Sequence, residues 1–350
     1  MYIVLAILAF GIIIAIHEFG HYISAKSLNV KVIEFAIGMG PKLLYKQGKE
    51  TLYSLRALPF GGFCTMEGQD ELEEDPDPRS FLAQKRWRRI VILAAGSVAN
   101  FIAAFIIIFI LTAGAEGFVG TTVNEVVDHL PNEGPSELMP GDRIIRLNGE
   151  RLFYYDDFNL FMRLNADKPI TFTINRNGQI VEYERRSYVV DGVEQFRYAI
   201  SFNAIEGTLL EKIKYSGYQT YSFMRMIRLS IAMMVSGAAS MQDISGPVGI
   251  VSAMNTIGQQ SPTTIDAVGN IAFFTAFIGV NVAIINLLPI PAMDGGRILF
   301  IFVTWAIEKI TRKRLDPKYE GYINTGAFVL LIALMVLILY NDVMRIVGGY

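Results

Sequence analysis

Cysteine is almost missing from this chain of 350 residues, which holds one, Cys64. That excludes an internal disulfide and a zinc site built from several thiolates. Histidine is nearly as scarce, with His17, His21 and His129 the complete set. Charge is thin as well: 18% of residues are Asp, Glu, Lys or Arg, against about 25% in soluble domains. The net charge of −2 gives no electrostatic basis for binding nucleic acid. The shortfall in charge is concentrated. Residues 1–16, 90–115, 267–293 and 321–341 contain no Asp, Glu, Lys or Arg. About 20 apolar residues cross a hydrocarbon core, so each run suffices, the first only if the polar residues after it also lie within the membrane. In a chain 52% hydrophobic, this is the pattern of a multi-span α-helical membrane protein with about four transmembrane helices. A cleaved signal peptide is the rival reading of the first run, but no positive residue precedes its apolar stretch.

Lysine and arginine placement sets the orientation. Residues 26–89 carry eleven of them, ending in QKRWRRI, and the stretch between the third and fourth runs carries six. Both segments are expected on the cytoplasmic side of the cell membrane. The N-terminus, the region between the second and third runs, and the C-terminus are then extracytoplasmic.

Three parts follow along the chain. Residues 1–115 hold spans one and two. Between them, NVKVIEFAIGMGPKLLYKQGKETLYSLRALPFGGFCTMEG reads as short strands broken by Gly and Pro, a β-element. DELEEDPDPRS is an acidic linker, and LAQKRWRRI a basic amphipathic anchor at the membrane surface. Residues 116–205 change character, with strand patterns and Asn-Gly turns in RLNGERL and KPITFTINRNGQIVEYERR that specify hairpins. They form a small β-rich domain inserted between two spans. In residues 206–350, IKYSGYQTYSFMRMIRLSIAMMV has helical spacing interrupted by Arg225 and Arg228, which suits a helix at or partly in the membrane surface. ISGPVGIVSAMNTIG is too polar and too rich in Gly and Pro for a simple span, so a re-entrant or interfacial segment is expected before spans three and four.

The chemistry sits in AIHEFGHYISAK, residues 15–26. Ionisable groups inside a span are costly in hydrocarbon and point to function. His17 and His21 are four residues apart, so on a helix they project from one face, one turn apart. Both can bind one metal ion, and Glu18 can act beside it as general base, the H-E-x-x-H logic of zinc peptidases. Sixteen residues precede His17, about 24 Å of helix, which keeps the motif within the membrane near its cytoplasmic face. A catalytic zinc takes three protein ligands. His129 belongs to the inserted domain on the opposite side, and Cys64 follows a Gly-Gly turn. A carboxylate is the better candidate. In NLLPIPAMDGG, which closes span three, the prolines break the helix and the glycines permit close backbone approach. Asp294 is therefore expected on an unwound segment at the cytoplasmic end, where topology also places His17 and His21. Helix capping is the alternative use of Asp294, while Asp266 and Asp342 fall at the other membrane face.

HEFGH in the first span, IGMGP after it, PFGGF, and NLLPIPAMDGG in the third resemble the site-2 protease family of intramembrane zinc metalloproteases. GTTVNEVV with PGDRIIRLNGE is similar to a PDZ domain, and the layout to the bacterial RseP/RasP type, which cleaves anti-sigma factors. The motifs run in the family's order over nearly the whole chain. The resemblance implies that His17, His21 and Asp294 bind Zn2+, that Glu18 is catalytic, and that Asn286 holds the substrate backbone. It implies that Gly38, Met39 and Gly40 belong to a membrane-associated β-element that pairs with the extended substrate, with residues 59–63 as its accompanying edge strand. The implied substrates are transmembrane proteins such as anti-sigma factors or signal-peptide remnants, trimmed first by another protease and cut in regulated intramembrane proteolysis. The chain departs from the enterobacterial type in showing one PDZ-like domain instead of two, and in NEGPSELMPGD before the second strand. Two other classes compete. A catalytically silent membrane scaffold would have lost Glu18 or a ligand, and a metal transporter would need more ionisable residues along its spans.

Overall fold

The computed structural model describes residues 1–69, 77–126, 138–165, 169–185, 188–190, 193–195, 200–237, 246–312 and 318–348. His129, most of the acidic linker, and the NEGPSE stretch lie outside them. The chain divides into two compact units, Met1–Leu111 with Gln219–Tyr350, and Thr112–Tyr218.

The first unit begins with helix α1 (Tyr2–Ser27), whose buried residues are Ala6, Ala9, Ile13, His17, His21 and Ala25. Spaced by three or four, they form one stripe along the helix. Ile3, Val4, Leu8, Ile12 and Ile23 are exposed, as a lipid-facing side requires. Strands β1 (Val32–Gln47) and β2 (Leu52–Met66) follow as an antiparallel pair. The expected strands are present but are not short. They are long strands with repeated register shifts, because Gly38, Gly40 and Gly61 take positive φ and absorb bulges where other residues would end the ladder. The hairpin turn is tied to α1 by Glu50, which receives Lys26 and, at 2.8 Å, Arg79 Nη1. Arg79 first and then Lys26 hold the Glu50 carboxyl down at about 2. Helix α2 (Arg86–Thr112) returns across the unit.

In the second unit, β3 (Gly117–Val126), β4 (Arg143–Leu147), β5 (Glu150–Arg151), helix α3 (Tyr155–Leu164), β6 (Ile170–Arg176), β7 (Gln179–Arg185), the β8–β9 hairpin (Tyr188–Val190, Val193–Gln195) and β10 (Ile200–Glu206) follow in order. The main sheet runs β10-β3-β4-β6-β7, with β5 paired to β4. Asn148-Gly149 joins β4 to β5 and Asn177-Gly178 joins β6 to β7, with all four φ angles positive, as a type I′ turn demands. Ile144, Leu147, Ile170, Phe172 and Ile174 are fully buried beneath the sheet.

Helix α4 (Leu209–Val235) then places Phe223 and Ile227 against Ala104, Ile108, Ala276 and Val280 of the first unit's core. Helix α5 (Pro247–Gln260) is the segment expected to be re-entrant or interfacial; at 14 residues it is about 21 Å long, short of a core about 30 Å thick. Its Met254 packs with Ala6, Ala9 and Ile271. The Gly246 and Gly249 N–H groups at its start donate to the Asp342 carboxylate, 3.1 and 2.9 Å away. Asp342 thus caps a helix within the unit. Helices α6 (Thr264–Leu287), α7 (Asp294–Thr311) and α8 (Lys318–Gly348) complete the chain. Among the described residues four helical stretches are long and apolar enough to span: Tyr2–Ser27, Arg86–Thr112, Thr264–Leu287 and Gly321–Leu339. The fold is a multi-span helical membrane protein with a β-element and an inserted β-rich unit.

Candidate active site

Two local structures bring the site together. One is helix α1, which carries His17 and His21 on its buried stripe. The other is the break between α6 and α7. Asn286 stands in the last turn of α6, Ala292 takes φ 71°, and α7 starts at Asp294. The helix restarts here because Gly295 and Gly296 let it fold back tightly. A Cβ on either would fall 2.2 Å from the Leu287 carbonyl oxygen or 2.1 Å from that of Ile290. Asp294 is therefore the first residue of a new helix rather than part of the unwound segment. The residues that unwind are those just before it.

The result is a convergence of three side chains. His17 Nε2 and His21 Nε2 are 3.1 Å apart, and Asp294 Oδ2 lies 3.2 and 3.3 Å from them. His21 Nδ1 stands 2.8 Å from the Ile92 carbonyl oxygen, which fixes the proton on Nδ1 and leaves the Nε2 lone pair facing the others. Two ligands of a tetrahedral zinc at about 2.0–2.1 Å are about 3.3 Å from each other. The three donor atoms match that spacing, and their chemistry, two imidazoles and a carboxylate, is that of a catalytic zinc set. No other group of three His, Cys, Asp or Glu among the described residues is close enough to hold an ion.

Glu18, Asn286, Phe63, Cys64 and Arg297 share with these three a cavity of about 420 Å³. Asn286 Nδ2 is 3.3 Å from His17 Nε2. Burial pushes the Cys64 thiol up to about 12, and its sulfur is not among the three donor atoms that converge. Gly38, Met39 and Gly40 do not line the cavity; the part of the β-element that does is Phe63 to Cys64 and Met66 on β2. Sequence reasoning passed over Arg297, although it lies one helical turn beyond Asp294, a spacing that puts both on one face.

A model described as peptidase family M50 matches residues 5–334. The chain belongs to peptidase family M50. A relative from Clostridium acetobutylicum that carries a zinc metalloprotease name is 38% identical, over 97% of this chain and 97% of its own. Another, so named, from Clostridium perfringens is 36% identical over 98% of both chains. The zinc metalloprotease RasP of Geobacillus kaustophilus is 26% identical over 97% of both. This M50 peptidase is thus a multi-pass membrane zinc metalloprotease of the site-2 protease family.

Proposed function

We propose that the enzyme hydrolyses peptide bonds in or near transmembrane helices, with His17, His21 and Asp294 holding the zinc and Glu18 moving the proton. The observation that carries this reading is the approach of the three donor atoms to 3.1–3.3 Å, with Glu18 on the same cavity. Zinc in such a site polarises a carbonyl oxygen and makes water acidic enough to deprotonate near neutrality. Glu18 takes the proton from the attacking water and returns it to the amine nitrogen that leaves. Asn286 directs an amide N–H toward the reacting peptide, where a carbonyl oxygen can accept it. A substrate helix must unwind to expose its peptide bond, and its freed backbone groups then need partners. The β1–β2 element supplies them by strand addition, Gly38, Met39 and Gly40 at its bulged part and Phe63 beside the cavity.

Orientation follows from the basic residues flanking spans one and two, which put the site toward the cytoplasm. The β-rich insert, which reads as a PDZ-like domain, then stands outside. It acts as a size filter, so substrates are transmembrane proteins already trimmed by another protease, anti-sigma factors or signal-peptide remnants among them, in regulated intramembrane proteolysis.

The test is cleavage of a purified transmembrane substrate, with zinc measured in the same samples. Glu18→Gln is expected to lower the cleavage rate by about 10²–10⁴-fold with zinc retained. Near-normal cleavage would remove Glu18 from the mechanism, and no cleavage by zinc-loaded wild type would revive the scaffold or transporter reading of the site.

A further inference from the structure

Helix α2 contributes no ligand, yet it is the wall behind both histidines. Its backbone touches that of α1: a Cβ on Gly20 would lie 2.3 Å from the Ala95 carbonyl oxygen and 2.8 Å from Ala99 Cβ. One position further along, a Cβ on Gly96 would lie 2.5 Å from His21 Nε2, 2.7 Å from His17 Cε1 and 2.8 Å from His17 Nε2. All are below 3.0 Å, a distance real Cβ atoms essentially never show.

The two rings are held differently. His21 has the Ile92 carbonyl, one turn before Gly96, to fix its orientation. His17 has no such bond, since its Nδ1 is buried without a hydrogen-bond partner among the described residues. A ligand imidazole ordinarily gains its orientation from a hydrogen bond at its second nitrogen. For His17 packing has to serve instead, and the surface it packs on is Gly96.

We infer that Gly96 is a positioning residue of the metal centre: its missing side chain is the seat that turns both imidazole Nε2 atoms toward Asp294. This rests on the ligand reading above. A methyl group at this position would displace the rings or lift α2 off α1, at the cost of the close backbone contact at Gly20.

The experiment compares Gly96→Ala with Gly269→Ala, a helical glycine whose added Cβ meets nothing closer than Leu111 Cδ2 at 3.9 Å. Zinc affinity is measured by chelator competition on purified full-length protein, and the visible spectrum is recorded after Co2+ substitution. Gly96→Ala is expected to weaken zinc binding by about 10–100-fold, the range for loss of a ligand-orienting contact, and to alter the Co2+ bands. Gly269→Ala is expected to change neither. Wild-type affinity and spectrum in Gly96→Ala, while His21→Ala loses zinc, would overturn the inference and leave the ligand assignment standing. Zinc retention in His21→Ala would instead overturn the ligand assignment beneath it.

A double-mutant cycle keeps the test decisive if Gly96→Ala folds poorly. The melting temperature of zinc-free protein is compared with and without the paired change His17→Ala and His21→Ala. The penalty of Gly96→Ala is expected to shrink once the rings are gone. An equal penalty in both backgrounds would show that the methyl group meets something other than the imidazoles.

Discussion

Asp142 and Asp294 are both acidic residues drawn inward, and they are treated in opposite ways. Asp142, in the β-rich unit, is 1% exposed. Arg176 donates to its two oxygens at 2.8 Å each, and the Met139 N–H at 2.8 Å. Burial pushes this carboxyl up, but those bonds outweigh it and hold it below the ordinary range. Nothing further is required there, so the group is structural. Asp294, in the membrane unit, faces two imidazole Nε2 atoms at 3.2 and 3.3 Å, with no arginine or backbone N–H beside them in the convergent set. The three side chains converge at the spacing a zinc ion would accept. The two aspartates separate a closed polar network from a convergence of donor atoms that fits a metal ion.

The largest contrast is expected from removing one member of each set. His21→Ala should strip zinc and abolish cleavage while the β-rich unit stays folded, checked by metal analysis and limited proteolysis. Asp142→Ala should do the reverse, lowering stability of the β-rich unit by about 2–3 kcal/mol, as for a lost charge-assisted pair, with zinc content unchanged. Chemical denaturation followed by a probe in that unit measures it. Zinc loss in Asp142→Ala would erase the distinction.

The smallest effect concerns Glu50. Its carboxyl is held at about 2 in the fold, against an ordinary 4.5. A lowered value means the ion pairs stabilise the hairpin fully above about pH 4.5 and are lost as the pH falls toward 2. Hydrogen exchange at residues 47–52 should therefore quicken only in acid below that range. Faster exchange in neutral Glu50→Gln than in wild type would agree; equal exchange in the two would show that the pairs with Arg79 and Lys26 do not hold the turn.

Much of this was legible in the sequence, for reasons that are local. Charge-free runs mark spans because hydrocarbon penalises charge wherever it falls. His17 and His21 are readable because a helix converts a spacing of four into a shared face, and Asp294 because Pro and Gly announce a break. The β-element was read as broken strands, since local patterning scores Gly38, Gly40 and Gly61 as interruptions, whereas the partner strand turns them into bulges. Gly96 was silent for a related reason: its role depends on what α1 brings against it. Ala94, Ala95, Gly96, Ser97 and Ala99 together signal a close helix approach, but not that histidines stand on the other side.

The central claim is that His17, His21 and Asp294 hold the zinc, and zinc-edge X-ray absorption tests it most directly. Wild-type protein should show only nitrogen and oxygen neighbours at about 2.0–2.2 Å, with the outer-shell signature of two imidazoles. Asp294→Ala should lose the bound zinc or one oxygen neighbour. A sulfur neighbour at about 2.3 Å, which Cys64 alone among the cysteines could supply, or an unchanged spectrum in Asp294→Ala, would contradict the account.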